Sequence, residues 1–151
     1  MVDIDATPVV VGDEAYAITY QGAAAGVDLQ TGRVLWNRDF SAYRGFRAAG
    51  HNLYVVDAHG VVWAMDRQTG ATLWKQDKLA ERAVSAPVVA GDYVVVGDYQ
   101  GYLHWLLADN GTLAARYQVD DAISAPPLVA GDVVYAVGDG GELKAVTVGP
   151  H

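Results

Sequence analysis

The stretch DLQTGRVLW, Asp28 to Trp36, returns as DRQTGATLW, Asp66 to Trp74. Asp, Gln, Thr, Gly, Leu and Trp recur in register, 38 residues apart. An active-site motif is not written twice at such a spacing, whereas a structural unit is. The glycines around the motif extend the unit along the chain. One series runs Gly12, Gly50, Gly91 and Gly131, in steps of 38, 41 and 40 residues. A second runs Gly22, Gly60, Gly101 and Gly141 with the same steps, and a third, Gly32, Gly70 and Gly111, has no fourth member. Pro8, Pro87 and Pro127 each stand four residues before a glycine of the first series, where the second copy has Phe46.

Between the glycines lie short runs rich in Val, Tyr, Leu and Trp, such as AYAITY, NLYVVD, YVVVGD and VVYAVG. They are too short for helices and are bounded by turn residues, so they read as strands. No stretch combines helical periodicity with caps. In the first copy the strands fall near Pro8–Val11, Ala15–Tyr20, Ala24–Asp28 and Val34–Asp39. Four antiparallel strands in about 40 residues make a propeller blade. The fold expected is all-β: a single propeller fragment over residues 1–151, with blades near 7–40, 45–78, 86–119 and 126–148. The fourth copy leaves no room for an outer strand after ELKAVTV, so the last blade is expected to lack it. Gly32, Gly70 and Gly111 are assigned to the tight turn before each outer strand, where glycine takes a positive φ at little cost. Trp36 and Trp74, four residues on, are assigned to packing on the neighbouring blade. Ala115 occupies that position in the third copy, which predicts an interface packed differently.

Composition narrows the function. The hydrophobic fraction of 52% argues against disorder, and the apolar runs fall far short of a membrane span. Cysteine is absent, which removes disulfides, thiolate metal sites and cysteine nucleophiles. The net charge of −8, without a basic stripe, argues against nucleic acid as a partner. Asp13, Asp92, Asp109, Asp132 and Asp139 sit beside Gly or Asn, so turn chemistry is the main reading of the acidity. No Ser-His-Asp order, paired catalytic carboxylates or phosphate-cradling glycine loop stands out, and no cofactor or metal is expected. His104, in YLHWL, reads as a half-buried strand histidine with a hydrogen bond, with no carboxylate or second histidine at ligand spacing. Asp3 and Asp5 alternate around Ile4, so an extended chain turns both carboxylates to one side. That pair could accept an arginine fork or two basic side chains. A solvated linker is the alternative.

The run PVVVGDEAYA followed by QTGRVLW resembles the propeller repeat of the pyrroloquinoline-quinone enzymes. Within that superfamily, DIDATPVV (Asp3–Val10), VVGDYQGYLHWL (Val95–Leu106) and LVAGDVVYAVGDGGELKAV (Leu128–Val146) are most similar to the BamB family of outer-membrane assembly lipoproteins. The resemblance implies the C-terminal half of an eight-bladed ring, with the export signal, lipidated cysteine and first four blades outside this chain. It implies a non-enzymatic scaffold of the β-barrel assembly machinery at the periplasmic face of the outer membrane. The implied partners are the periplasmic (POTRA) domains of BamA, and unfolded outer-membrane proteins as clients. The family's acidic D-x-D contact maps onto Asp3 and Asp5. An arc with two uncovered blade faces is also expected to self-associate. The alternative is a fragment of a quinoprotein dehydrogenase, whose Trp, calcium ligands and catalytic Asp would face the ring centre.

Overall fold

The computed structural model describes residues 8–18, 23–39, 43–119 and 122–147. Among them, fifteen strands form four antiparallel sheets, each a simple meander, and there is no helix. The first sheet contains β1 (Val9–Val11), β2 (Glu14–Ile18), β3 (Ala23–Asp28) and β4 (Val34–Asp39). The second contains β5 (Tyr43–Ala49), β6 (Asn52–Asp57), β7 (Val62–Asp66) and β8 (Thr72–Gln76). The third contains β9 (Val88–Ala90), β10 (Tyr93–Gly97), β11 (Tyr102–Leu107) and β12 (Leu113–Gln118). The fourth has β13 (Leu128–Ala130), β14 (Val133–Val137) and β15 (Leu143–Thr147), and no fourth strand among the described residues. The described residues form a β-propeller arc whose last blade carries three strands among them. Gly12, Gly50, Gly91 and Gly131 each open a two-residue hairpin with φ between +57° and +64°. The expected second strand ran to Tyr20; the described strand ends at Ile18, and Tyr20 and Gly22 lie outside the described residues.

Each sheet faces a neighbour, and position in the arc decides the hydrophobic pattern of its strands. In the third blade Val94, Val95 and Val96 are all buried, because Val94 and Val96 face the second blade and Val95 the fourth. Sheets covered on both faces favour continuous apolar runs. The two end blades alternate instead: Tyr16 and Ile18 are buried in β2, while Ala15 and Ala17 are only partly covered. In β14, Val134 and Ala136 pack on the third blade, whereas Val137, with Leu128 and Leu143 of its neighbouring strands, is exposed. Each blade-to-blade contact has its own core. Tyr16, Ile18 and Trp36 meet Leu53, Val55 and Met65 between the first two blades. Tyr54, Val62 and Trp74 meet Val94, Val96 and Leu106 between the next two. Leu103 and Trp105 meet Val134 and Ala136 at the last. Burying each large side chain contributes about 1.5–3 kcal/mol, so these contacts hold the arc together.

Candidate functional site

The outer strands carry the most regular device. Trp36 on β4 donates its indole N–H to the Arg67 carbonyl of the second blade, at 2.7 Å. Trp74 on β8 donates in the same way to Ala108 of the third, at 2.8 Å. Each ring lies on the turn glycine of that next blade: a Cβ added to Gly70 would sit 2.6 Å from Trp36, and one on Gly111 would likewise strike Trp74. Two residues on, Arg38 reaches the Gly70 carbonyl and Gln76 the Gly111 carbonyl, both at 2.9 Å. In each outer strand the register shifts beside the tryptophan, leaving Leu35 and Leu73 outside the ladder and exposed. Such a bulge re-aims the side chain next to it. At the third outer strand Ala115 stands opposite Trp105. There Trp105 itself and Ile123, which lies against Gly97, fill the contact with the fourth blade.

The opposite end of the blades holds a polar cluster that spacing alone did not reveal. Asp98 and His104 are both buried, at 0% and 3% exposure. Asp98 Oδ1 accepts the backbone N–H groups of Gln100 and Tyr102, closing the β10–β11 turn. Its Oδ2 lies 2.7 Å from His104 Nε2 and 2.8 Å from Arg82 Nε. The expectation that no carboxylate approaches His104 is therefore wrong. A side chain six residues away along a tight hairpin returns to its neighbour, and β11 turns both His104 and Tyr102 to the face that Asp98 closes. Asp57 repeats the device in the second blade, with Oδ1 on the His59 and Val61 N–H groups and Oδ2 accepting Trp63 Nε1 at 2.9 Å. The signal was present as D-x-x-G with Trp or His six residues after the Asp, at 57–63 and again at 98–104. Arg82 and Arg116 flank the Tyr102 ring at 5.5 and 5.1 Å.

Arg82 comes from the connection between the second and third blades. Glu81 and Ala83, on either side of it, have φ of +68° and +51°, a conformation costly for side chains other than glycine. The connection is stitched to both blades: Glu81 N–H donates to His59 O, Tyr99 N–H to Arg82 O, and Ser85 N–H to Gly97 O. Burial would raise the Asp98 carboxyl, but hydrogen bonds from His104, the Tyr102 N–H and Arg82 together hold it below its ordinary value. Burial also holds the His104 imidazole below 6.5, against the upward pull of Asp98. At neutral pH Asp98 is a carboxylate that accepts a hydrogen bond from the Nε2–H of a neutral imidazole. With Nε2 committed in this way, the imidazole acts as a clamp.

This has a consequence for stability. The unfolded chain protonates His104 at about 6.5 and the folded chain only at lower pH, so folded protein binds fewer protons in that interval. Stability is therefore full above pH 6.5 and declines as the pH falls through it toward the depressed folded value. His104→Gln should keep a donor to Asp98 while removing this titration. Melting temperatures at pH 7.5 and 5.5 should differ less in that variant than in the parent. An equal difference in both would remove His104 as the source.

Among the described residues, no group of three His, Asp or Glu side chains is close enough to hold a metal ion. Among the described residues, the innermost strands of the second, third and fourth blades line an open pocket of about 400 Å³, with Arg47, Val88, Val89, Pro127, Leu128 and Val129 in its wall. That wall offers neither a tryptophan for stacking nor carboxylates for calcium, so it does not fit a quinone and its ion. Trp36 and Trp74 face adjoining blades instead. Asp3 and Asp5 lie outside the described residues.

The family model described as "Outer membrane protein assembly factor BamB" matches residues 1–76 and 58–149. The chain belongs to the BamB family. It is 38% identical to the outer membrane protein assembly factor BamB of Shewanella oneidensis, over 98% of this chain and 38% of that protein. The crystal structure of BamB from Moraxella catarrhalis superposes with a TM-score of 0.86 at 31% identity, covering 97% of this chain and 44% of that one. The chain thus spans less than half the length of these relatives. The quinohemoprotein alcohol dehydrogenase of Comamonas testosteroni shares the fold at a TM-score of 0.64 and 24% identity, over 77% of this chain.

Proposed function

We propose that this chain is part of a non-enzymatic scaffold of the outer-membrane β-barrel assembly machinery, acting at the periplasmic face of the outer membrane and binding the periplasmic domains of BamA. The observation that carries the reading is the family match along nearly the whole chain, to relatives named as outer-membrane assembly factors. The architecture supports it. Repeated Trp interlocks and buried Asp clamps make a stiff arc that holds connecting segments in fixed places, which is what a scaffold requires. We assign Trp36, Trp74 and the turn glycines to that stiffness, and the partner contact to Asp3 and Asp5. In the repeat these two stand where Arg82 and Val84 stand two blades later.

Charged bonds within an interface can be worth about 2 kcal/mol or more. Asp3→Ala combined with Asp5→Ala, made in the full-length protein, should weaken binding to the BamA periplasmic domains about tenfold or more, as calorimetry would read. Asp13→Ala with Asp92→Ala removes the same charge from hairpin turns and should change binding little. Equal losses would assign the effect to net charge, and no loss in either would take Asp3 and Asp5 out of the site.

A further inference from the structure

The second and third blades differ at one cross-strand pair. In the second, Trp63 on β7 stands opposite Lys75 on β8, and the ammonium lies 5.3 Å from the ring. One repeat later the pair is His104 and Arg116. Arg116 leans along its strand to the Tyr102 ring, at 5.1 Å. Ala114 replaces the leucine that the first two blades carry in the outer-strand bulge, Leu35 and Leu73. A pocket of about 210 Å³ opens here, lined by His104, Leu113, Ala114, Ala115 and Arg116. It belongs to the side of the third blade that meets the second. Val96, paired with His104, and Leu113 both pack in the core that these two four-stranded blades share.

The polar groups of the pocket have fixed roles. His104 is 3% exposed, and its Nε2 lies 2.7 Å from the Asp98 carboxylate. Nε2 therefore carries the ring proton, which leaves a lone pair on Nδ1. Nδ1 has no hydrogen-bond partner among the described residues, where no buried side-chain nitrogen is left unsatisfied, so it is reached from the pocket that the ring lines. The Arg116 guanidinium lies against Tyr102 and has no acceptor among the described residues. One wall thus presents an acceptor and a donor side by side, since cross-strand partners stand about 5 Å apart.

We propose that this pocket binds a primary carboxamide, the side-chain amide of a glutamine or asparagine on a partner polypeptide. Its N–H donates to His104 Nδ1, its oxygen accepts from Arg116, and its methylenes lie on Leu113 and Ala114. A carboxylate satisfies Arg116 but sets its lone pairs against that of Nδ1. A metal ion would find a lone pair on Nδ1 but a guanidinium beside it. A backbone peptide group is trans, with N–H and C=O on opposite sides, so it cannot meet both groups at once. The inference is independent of the BamA reading.

Propionamide serves as the probe, with propionate as its isostere and N-methylacetamide as a copy of the peptide group. At pH 7.5, propionamide added to isotope-labelled protein should give saturable nuclear magnetic resonance shifts at His104 Nδ1 and at the amides of Leu113–Arg116. Saturation should fall in the millimolar range expected of so small a ligand. Propionate and N-methylacetamide should each bind at least fivefold more weakly, and Arg116→Met should weaken propionamide by a similar factor. Ala114→Leu introduces the residue that the first two blades carry, so it should melt like the parent while propionamide no longer saturates. Absence of saturable shifts, or unchanged affinity in Ala114→Leu or Arg116→Met, would overturn the pocket. Equal or tighter binding of propionate would make it an anion site, and equal binding of N-methylacetamide a site for backbone; either result would overturn the carboxamide.

Discussion

Gly70→Ala should unfold the chain at a markedly lower temperature than Gly32→Ala, although the two residues stand at equivalent places in the repeat. Their φ values are +74° and +73°, so the backbone cost of a Cβ is shared, about 1–2 kcal/mol. The surroundings differ. At Gly32 the new methyl meets open space, and at Gly70 it would stand 2.6 Å from the Trp36 ring. Displacing a packed indole adds roughly 1–3 kcal/mol for overpacking. It also pulls the indole N–H from the Arg67 carbonyl, a further loss of about 1 kcal/mol. A chain of this size loses about 2–4 °C per kcal/mol. Gly70→Ala should therefore melt roughly 4–16 °C below Gly32→Ala. The cause can be isolated with Trp36→Ala as background. There the ring is gone, and Gly70→Ala should cost only what Gly32→Ala costs. Coupling of more than about 1 kcal/mol in that double-mutant cycle is the expected result. Equal melting temperatures for the two single variants would mean that the indole does not bear on the turn.

The contrast between those two glycines shows what the sequence can carry. Blade number, strand order and turn positions were legible because each is written locally: a positive-φ glycine, a β-rich run, a fixed spacing. That Trp36 and Trp74 face a neighbouring blade was legible from their recurrence. Which of these turns has an indole lying on it was not, because Gly32 and Gly70 sit in nearly identical nine-residue contexts and differ in what the described residues place against them. The polar cluster was less legible still. Arg82 reaches Asp98 from a connection whose course depends on positive φ at Glu81 and Ala83, residue types that give no sign of such a conformation. His104 and Asp98 were within reach of a closer reading, since the same six-residue step joins Trp63 to Asp57. Trp63 and His104 are dissimilar as residues but alike as ring N–H donors, and a reading by residue type separates what a reading by hydrogen-bonding role unites.

That shared role leads to the other large effect, which distinguishes Asp98 from Asp57. Both carboxylates accept two backbone N–H groups and one ring N–H. Asp98 also accepts Arg82, and it is fully buried. Asp57→Ala leaves neutral donors without an acceptor, at about 1–3 kcal/mol. Asp98→Ala strands the same number of neutral donors and leaves the Arg82 guanidinium unpaired beside them. Breaking a buried charged pair from one side costs about 3–5 kcal/mol. Arg82 is 26% exposed and can turn partly to water, which places the expected loss toward the lower end of that range. Denaturant melts of the two alanine variants should thus show Asp98→Ala as the more destabilised. Asp98→Asn separates charge from shape: its amide oxygen can still accept Gln100 and Tyr102, but its nitrogen would oppose the Arg82 Nε–H, and His104 Nε2 could accept from it only by shifting the ring proton to Nδ1. It should recover only part of the loss, because its nitrogen end faces the Arg82 guanidinium, which has no acceptor and is left without its counter-charge. Full recovery would show that the turn bonds carry the stability and the Arg82–His104 contacts add nothing. A smaller loss for Asp98→Ala than for Asp57→Ala would show that the buried charge works against the fold, with the hairpin closed by its backbone alone.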